Sequence, residues 1–540
     1  MKVCKNCKVN FKVDEEDEKF LKKLSPTIGD KKIQIPKPTF CPDCRQQRRL
    51  TFRNEHNLYK RKCDLCSKEI VSCFHKNAPC PVYCYECWWS DKWDAIDFGQ
   101  DIDFSRGFFE QFQELKNKVP QVALQASNNE NSDYVNMSGY NKNCYLLFAA
   151  EFDEDCLYGT QVIKCNDCVD NLNCTESEYC YENVDIAKCY SVMFSQNSRN
   201  CNESMFLYDC RSCNNCLFCT NLRNKKYYVF NKEVSKEEYF EKRKEIMEML
   251  EKEGLETLLE QFKKLKSQAI FKNLEVQNNE NSFGNYLYDS KNVKNCFDLS
   301  YAEDCRYVYT GFQAKDLMDV SHTTDAEIGY DSTSLGYNSN NILFTYLSWG
   351  CADGMYFDHC HTSSNIFGCV GIRKKKHCIL NKQYSQAEYE ELVVKLIDHM
   401  REKGEWGEFF PSKLSPYAYN ETTAYMYFPL TKEQAEAQGY RWLDPDSTEY
   451  QKPHNDILGC EDCKKNYKLV AQEESFYKKF GLPTPKKCPL CRLMRRFESR
   501  PKRKLFNDNC DKCDAKIKTT YSPDRPEKVY CEQCYLNEIV

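Results

Sequence analysis

Residues 189–219 read CYSVMFSQNSRNCNESMFLYDCRSCNNCLFC. Short runs of Tyr, Phe, Val, Met and Leu alternate there with Asn, Asp and Ser, and cysteines return at a fixed interval. Cys168, Cys189 and Cys210 are spaced 21 residues apart, as are Cys180 and Cys201, and Cys144 and Cys165. Strand-sized apolar runs broken by turn formers, with one residue type recurring in register, are what a parallel β-solenoid requires, because each turn stacks on the next and equivalent positions form a ladder. The interval predicts about 21 residues per turn, with the ladder cysteines turned inward as small apolar side chains. Cys210, Cys213, Cys216 and Cys219 differ: four thiols at a strict spacing of three could bind metal, or could form the edge of a ladder.

The block recurs. Asn128-Asn129-Glu130-Asn131-Ser132 returns as Asn278-Asn279-Glu280-Asn281-Ser282, and Arg223, Asn231-Lys232 and Glu238-Tyr239 return as Arg373, Asn381-Lys382 and Glu388-Tyr389, an offset of 150. Each copy ends in an amphipathic helix, 235–251 and 385–403, entered by a Ser with Glu three residues on, a capping box. Such helices would cover the open β-edges of a solenoid.

Sixteen of the 36 cysteines form eight Cys-x-x-Cys pairs at the two ends. The N-terminal set is Cys4/Cys7, Cys41/Cys44, Cys63/Cys66 and Cys84/Cys87; the C-terminal set is Cys460/Cys463, Cys488/Cys491, Cys510/Cys513 and Cys531/Cys534. Steps of 19 and 18 residues recur in both sets, and only the first loop differs, 34 against 25. Two residues between thiols let both sulfurs reach one ion, and two pairs complete a closed tetrahedral site, so four structural Zn²⁺ sites are expected. Sequential ribbons place the 34-versus-25 difference in a hairpin; an interleaved cross-brace stays open. With four thiolates and no open position, the metal should hold structure and not catalyse.

Between the ribbons of each end the two copies share Arg45/Arg492, Arg48/Arg495, Arg49/Arg496 and Arg53/Arg500. Offsets of 3, 4 and 8 put four guanidiniums on one helical face. Such a stripe could clamp phosphate, or it could brace the thiolates and nearby carboxylates, and both readings stand. Residues 1–66 carry a net charge of +8 and 460–540 of +7, part of which Zn(Cys)₄ sites would cancel. The intervening copies are acidic, net −9 over 128–222 and −8 over 278–372, so any contact with RNA or DNA belongs to the ends.

The motif Cys41-Pro42-Asp43-Cys44-Arg45, preceded by Cys4, Cys7, Phe11 and Pro38, returns as Cys488-Pro489-Leu490-Cys491-Arg492 after Cys460, Cys463, Tyr467 and Pro485. Each copy resembles the probable zinc-ribbon (treble-clef-like) domain family over about fifty residues, which implies a fold and a metal. Together with Arg53-Asn54-Glu55, Leu58-Tyr59 and the run from Tyr83 to Trp93, the chain resembles a group of uncharacterised multi-zinc-ribbon proteins of candidate-phyla bacteria. Members of that group often carry a CaiB/BaiF family label. The resemblance implies a bacterial, cytosolic, zinc-containing protein and no catalytic residue, and no residue here supports CoA chemistry.

The 540-residue length exceeds what one core supports, and 41% hydrophobic with 29% charged residues excludes wholesale disorder. No run is apolar enough for a membrane span, and the first residues have no signal-peptide core, so the expectation is a cytoplasmic protein without a membrane partner. Free thiols in metal-type pairs agree with a reducing compartment. A β-helix could also cut glycan with paired carboxylates; the candidates are Asp353, Asp358, His359 and His361, with His322 and Asp325, though acidic pairs arise by chance in so acidic a segment. GxGxxG, P-loop, HExxH and GxSxG motifs are missing, which speaks against nucleotide, metalloprotease and hydrolase chemistry.

The sequence therefore predicts a mainly β fold, a duplicated right-handed parallel β-helix with capping helices, flanked by paired Cys4 zinc ribbons. The expected divisions are tandem ribbons at 1–95, an aromatic linker helix at 96–127, solenoid copies at 128–270 and 271–404, a Pro/Tyr-rich bridge at 405–455, and ribbons at 456–540. Trp88, Trp89, Trp93 and Phe108 to Phe112 are expected to pack the N-terminal ribbons onto the first copy. The function predicted first is a zinc-binding scaffold that holds RNA or DNA through the arginine stripes, with a scaffold for a protein partner and a glycan-active enzyme as alternatives.

Overall fold

The computed structural model describes residues 1–444, 457–524 and 526–539, so the junction between the expected bridge and the C-terminal ribbons, 445–456, lies outside the described residues. The described chain is mainly strand with some helix.

From Asn128 to Phe230 the backbone turns left-handed at every third residue, with φ between 44° and 62°. The segments between these corners pair in parallel with the segment twelve residues on: Thr160 with Leu172 with Val184, and Tyr190 with Asn202 with Asn214 with Lys226. The step is therefore four triplets, twelve residues, and not 21. Both numbers are multiples of three, and every third residue points inward, so cysteines 21 apart all face inward without standing above one another. A left-handed corner costs a residue with a Cβ about 1–2 kcal/mol, least for Asn and Asp, whose short polar side chains bond locally. One corner column is accordingly Asn131, Asn143, Asp155 and Asp167, with Asn131 Nδ2 donating to Asn143 Oδ1 at 2.9 Å.

Buried inward polar groups are satisfied by the same twelve-residue step. Asn171 Oδ1 accepts from the Asn183 amide (3.1 Å), Asn183 Oδ1 from Ser195 (2.8 Å), and Ser195 Oγ from Leu207 (2.9 Å). Outside, Phe194, Phe206, Phe218 and Phe230 stack with centroids 4.9, 4.3 and 5.2 Å apart.

The second stack repeats this register, Phe297 with Tyr309 and Tyr346 with Asp358. It departs twice: Val276 pairs with Leu287, one residue short, and Thr333 with Tyr346, one residue long. The two departures cancel, which is why the offset between the stacks is 150 at both ends and 149 in between. The first falls beside Gly284, where a Cβ would lie 2.0 Å from the Cys296 carbonyl oxygen; only glycine permits that approach.

A helix follows each stack. Lys236–Glu253 is capped by Ser235, whose side chain accepts from the Glu238 amide, and Gln386–Glu402 carries a full capping box from Ser385 and Glu388. A further helix, Leu255–Lys266, follows the first stack and brings Phe262 against Phe206 and Phe218.

The chain forms two compact units, each from two separate stretches: Met1–Ala123 with Glu275–Asp444, and Leu124–Leu274 with Pro445–Val540. The aromatic segment expected to sit on the first stack belongs instead to the core of the second, where Trp88, Trp93, Phe108 and Phe112 are buried with Phe367, Cys369 and Ile379. The reason is coverage. The first stack's phenylalanine column is covered by its own helix through Phe262, whereas the equivalent Phe344 and Tyr356 are left for Phe108, Phe109 and Trp406.

Candidate metal centres and the arginine clamps

Four groups of four cysteines bring all their sulfurs within 4.8 Å of one another: Cys4, Cys7, Cys41 and Cys44; Cys63, Cys66, Cys84 and Cys87; Cys460, Cys463, Cys488 and Cys491; and Cys510, Cys513, Cys531 and Cys534. The grouping is sequential, first pair with second and third with fourth. Each site is built alike: a short hairpin carries the first pair, as in Lys2–Val3 with Asn10–Phe11, and a helix begins directly after the third thiol, as in Pro42–Leu50 after Cys41. The amide at the third thiol donates to the sulfur of the first: Cys41 to Cys4 (3.2 Å), Cys84 to Cys63 (3.2 Å), Cys488 to Cys460 (3.3 Å) and Cys531 to Cys510 (3.2 Å).

Burial raises each of these first thiols, but the backbone amides more than offset it. Cys4 and Cys63 come down to about 7, and Cys460 and Cys510 to about 6. A thiolate donor set of four soft sulfurs, oriented by amides, fits a tetrahedral metal ion with no open position.

The arginine stripes do not face solvent. In the first unit Arg45 meets Asp319 (2.9 Å), Arg49 meets Asp331 (2.7 Å), and Arg48 reaches both Asp331 and Glu408 (2.9 Å each). In the second, Arg492 meets Asp170 and Glu473 (3.2 Å each), Arg496 meets Asp170 and Glu182 (2.9 Å each), and Arg495 meets Glu182 (2.8 Å). Asp170 and Glu182 are one twelve-residue step apart, as are Asp319 and Asp331, so arginines at i and i+4 on a helix grip two successive rungs.

The helices end at Leu50 and Glu498, before the last arginine of each stripe. Arg53 turns to Glu55 and Ser334, and Arg500 to Asp185, the first-stack counterpart of Ser334. Seven of the eight side chains are 7% exposed or less, and Arg495 is 24% exposed. Phosphate would have to displace a buried carboxylate at nearly every one. The partner carboxylates are the residues that motif reading missed; the acidic charge of the copies was its only trace.

These carboxylates feel both forces. Burial raises Asp170 to about 6 against the pull of Arg492 and Arg496, while at Glu182 Arg496, Arg495 and Arg492 outweigh burial and the carboxyl is lowered.

Of the glycan candidates the structure brings Asp358 and His359 together. Asp358 is buried, ion-paired with Lys116 and within 2.5 Å of His359 Nδ1; burial would raise it, but Lys116 and His359 hold it below the usual range. Asp353 is exposed and accepts from Asn341 (2.7 Å), Asp325 is exposed, and His322 lies 3.9 Å from Glu55. His361 is buried among Trp88, Trp89 and Trp349, and burial, with His359 and Arg373 nearby, lowers it to about 3.

Cys210, Cys213, Cys216 and Cys219 occupy successive inward positions and are fully buried. Among the described residues they form no group with all sulfurs within 4.8 Å, whereas Cys165, Cys168 and Cys174 do. No helix of the described residues is long and apolar enough to cross a membrane.

No family model and no curated protein matches the chain. A solved structure described as a "putative acetyltransferase from Desulfovibrio desulfuricans G20" matches 43% of this chain and 63% of its own length, at 9% identity and a TM-score of 0.11. A likeness that slight carries no argument about fold or activity.

Proposed function

We propose that the protein is a zinc-dependent binding scaffold. In this reading two right-handed β-solenoids, the products of a tandem duplication, are each clamped by a module with two structural Zn²⁺ sites, in a reducing cytoplasm. The supporting observation is the arginine clamp: the same three helix arginines beside each pair of Cys4 groups engage carboxylates on adjacent rungs of a stack. Modules of this size are too small to build a sufficient core, so zinc would supply their folding free energy and the clamp would carry that order into the stack. A surface rigidified in this way suits a protein partner better than phosphate, because the cations expected to bind phosphate already hold carboxylates.

Two measurements on the full chain test the reading. Elemental analysis should find four zinc ions per chain. Fluorescent RNA and DNA, titrated across a salt series, should bind weakly with a log–log slope no steeper than roughly −0.9, the value for one phosphate contact. A slope several times steeper that disappears when the arginines are neutralised would replace the scaffold reading with nucleic-acid recognition.

A further inference from the structure

The first stack is filled with sulfur in a way the fold does not require, and the second stack shows this. Twelve buried cysteines line the first stack and six the second. At the inward positions of Cys165, Cys168 and Cys174, the second stack places Ala314, Leu317 and Thr323, all buried. Small and aliphatic side chains therefore fill the same rungs of the same twelve-residue register. In the first stack those rungs bring three sulfurs within 4.8 Å of one another, with Cys165 and Cys174 3.6 Å apart. Cys156, Cys168 and Cys180 also stand in one inward column, one twelve-residue step apart, beside the parallel pairs Leu157 with Val169 and Val169 with Tyr181. Cys168 is thus the shared centre of a column of thiols inside the protein.

We propose that Cys165, Cys168 and Cys174 form an interior three-thiolate site for a soft monovalent cation, Cu(I). Structural zinc takes four donors, as at the four terminal groups, and here, among the described residues, no fourth sulfur lies within 4.8 Å of all three. Thiolates suit soft ions such as Cu(I), and a d¹⁰ ion of that kind accepts a three-sulfur shell, whereas structural zinc takes four. A central sulfur with neighbours above and below suits the bridging thiolates that copper(I) favours. Binding releases the thiol protons and changes no oxidation state. The site is buried, so the ion enters as the stack forms and not afterwards.

The test uses the full chain produced in copper-supplemented cells and purified without oxygen, beside two variants. One is C165A/C168L/C174T, which installs the residues the second stack uses on these rungs; the other is C168S, nearly the same shape as the native residue. Copper and zinc per chain are counted, X-ray absorption at the copper edge reports the ligand shell, and the long-wavelength emission of water-shielded Cu(I)–thiolate centres is recorded. The native chain should retain copper against a Cu(I) chelator, with a sulfur-only shell and four zinc ions still bound, and both variants should lose the copper and the emission with zinc unchanged. Equal copper in native and variant chains, copper gained only as zinc is lost, or no copper at all would overturn the proposal. Because C168S differs by a single atom, its result stands whether or not the triple variant folds.

Discussion

Replacing Arg49 by methionine separates a clamp from a phosphate site. The guanidinium is fully buried, 2.7 Å from Asp331 and 3.7 Å from Asp319, with its Nε 3.4 Å from Ser321 Oγ. Methionine keeps the length and the apolar stem but leaves those two buried carboxylates dependent on Arg45 and Arg48. Breaking a buried pair by removing one partner costs about 3–5 kcal/mol, because the stranded charge has lost its water and its counter-ion together. For a unit as large as this one, each kcal/mol corresponds to roughly 2 °C, so the first unit should melt roughly 6–10 °C lower in calorimetry. The control is Lys37→Ala, which removes an exposed pair with Glu18 and should change stability by less than about 0.5 kcal/mol. If Arg49→Met melted within about 1 °C of the native chain, the guanidinium would not be holding the carboxylates, and the scaffold reading would lose its support.

Three further outcomes are expected. His361 is held near 3 when folded against about 6.5 unfolded, so the unfolded state binds its proton first; the histidine's contribution is complete above pH 6.5 and falls by about 1.4 kcal/mol per pH unit below it. Urea midpoints of the native chain should therefore drop faster between pH 7 and 5 than those of His361→Asn, and parallel curves would refute the assignment. Zinc removal by a strong chelator should unfold the terminal modules while most of the parallel β signal in circular dichroism survives; uniform loss, or none, would contradict a modular dependence on metal. Gly284→Ala should cost more than about 1 kcal/mol in urea unfolding, since its Cβ has no space beside the Cys296 carbonyl, and a neutral result would mean that the one-residue register shift is not fixed there.

The parts that were legible in the sequence are those whose causes are local. Cys41 and Cys44 are three residues apart because one ion must reach both, so spacing alone marks them, and the same holds for the capping box of Ser385 and Glu388. The period of the stacks was misread because its unit is a triplet. Inward positions recur every three residues, so Cys168 and Cys189 share a phase at seven triplets while hydrogen bonding closes at four. The clue lay in the corner column of Asn131, Asn143 and Asp155, spaced by twelve. Which of the two readings of the arginines holds, phosphate or carboxylate, was not legible. Arg48 and Asp331 are 283 residues apart and Arg496 and Asp170 are 326 apart, and nothing within a helix face distinguishes an arginine awaiting phosphate from one awaiting a remote carboxylate.

Those separations also bear on how the chain assembles. Each clamp joins a terminal module to the stack farther from it in sequence: residues 42–53 grip the second stack, and 489–500 the first. Contacts of such range form late, after loop closure has been opposed by chain entropy. During synthesis the first stack is complete long before its own arginines exist, while the arginines of 45–53 are already present. Asp170 and Glu182 match Asp319 and Asp331 rung for rung, so the early arginines meet a near-copy of their target before the target itself. A fragment of residues 1–274 should therefore be compact, with Arg45 and Arg49 held on Asp170 and Glu182. Asp170→Asn should destabilise that fragment, whereas in the full chain it should loosen the C-terminal module. Hydrogen exchange on both forms reads the difference. If Asp170→Asn left the fragment's N-terminal module unchanged, the two clamps would not be interchangeable, and the order of synthesis would pose the chain no choice between them.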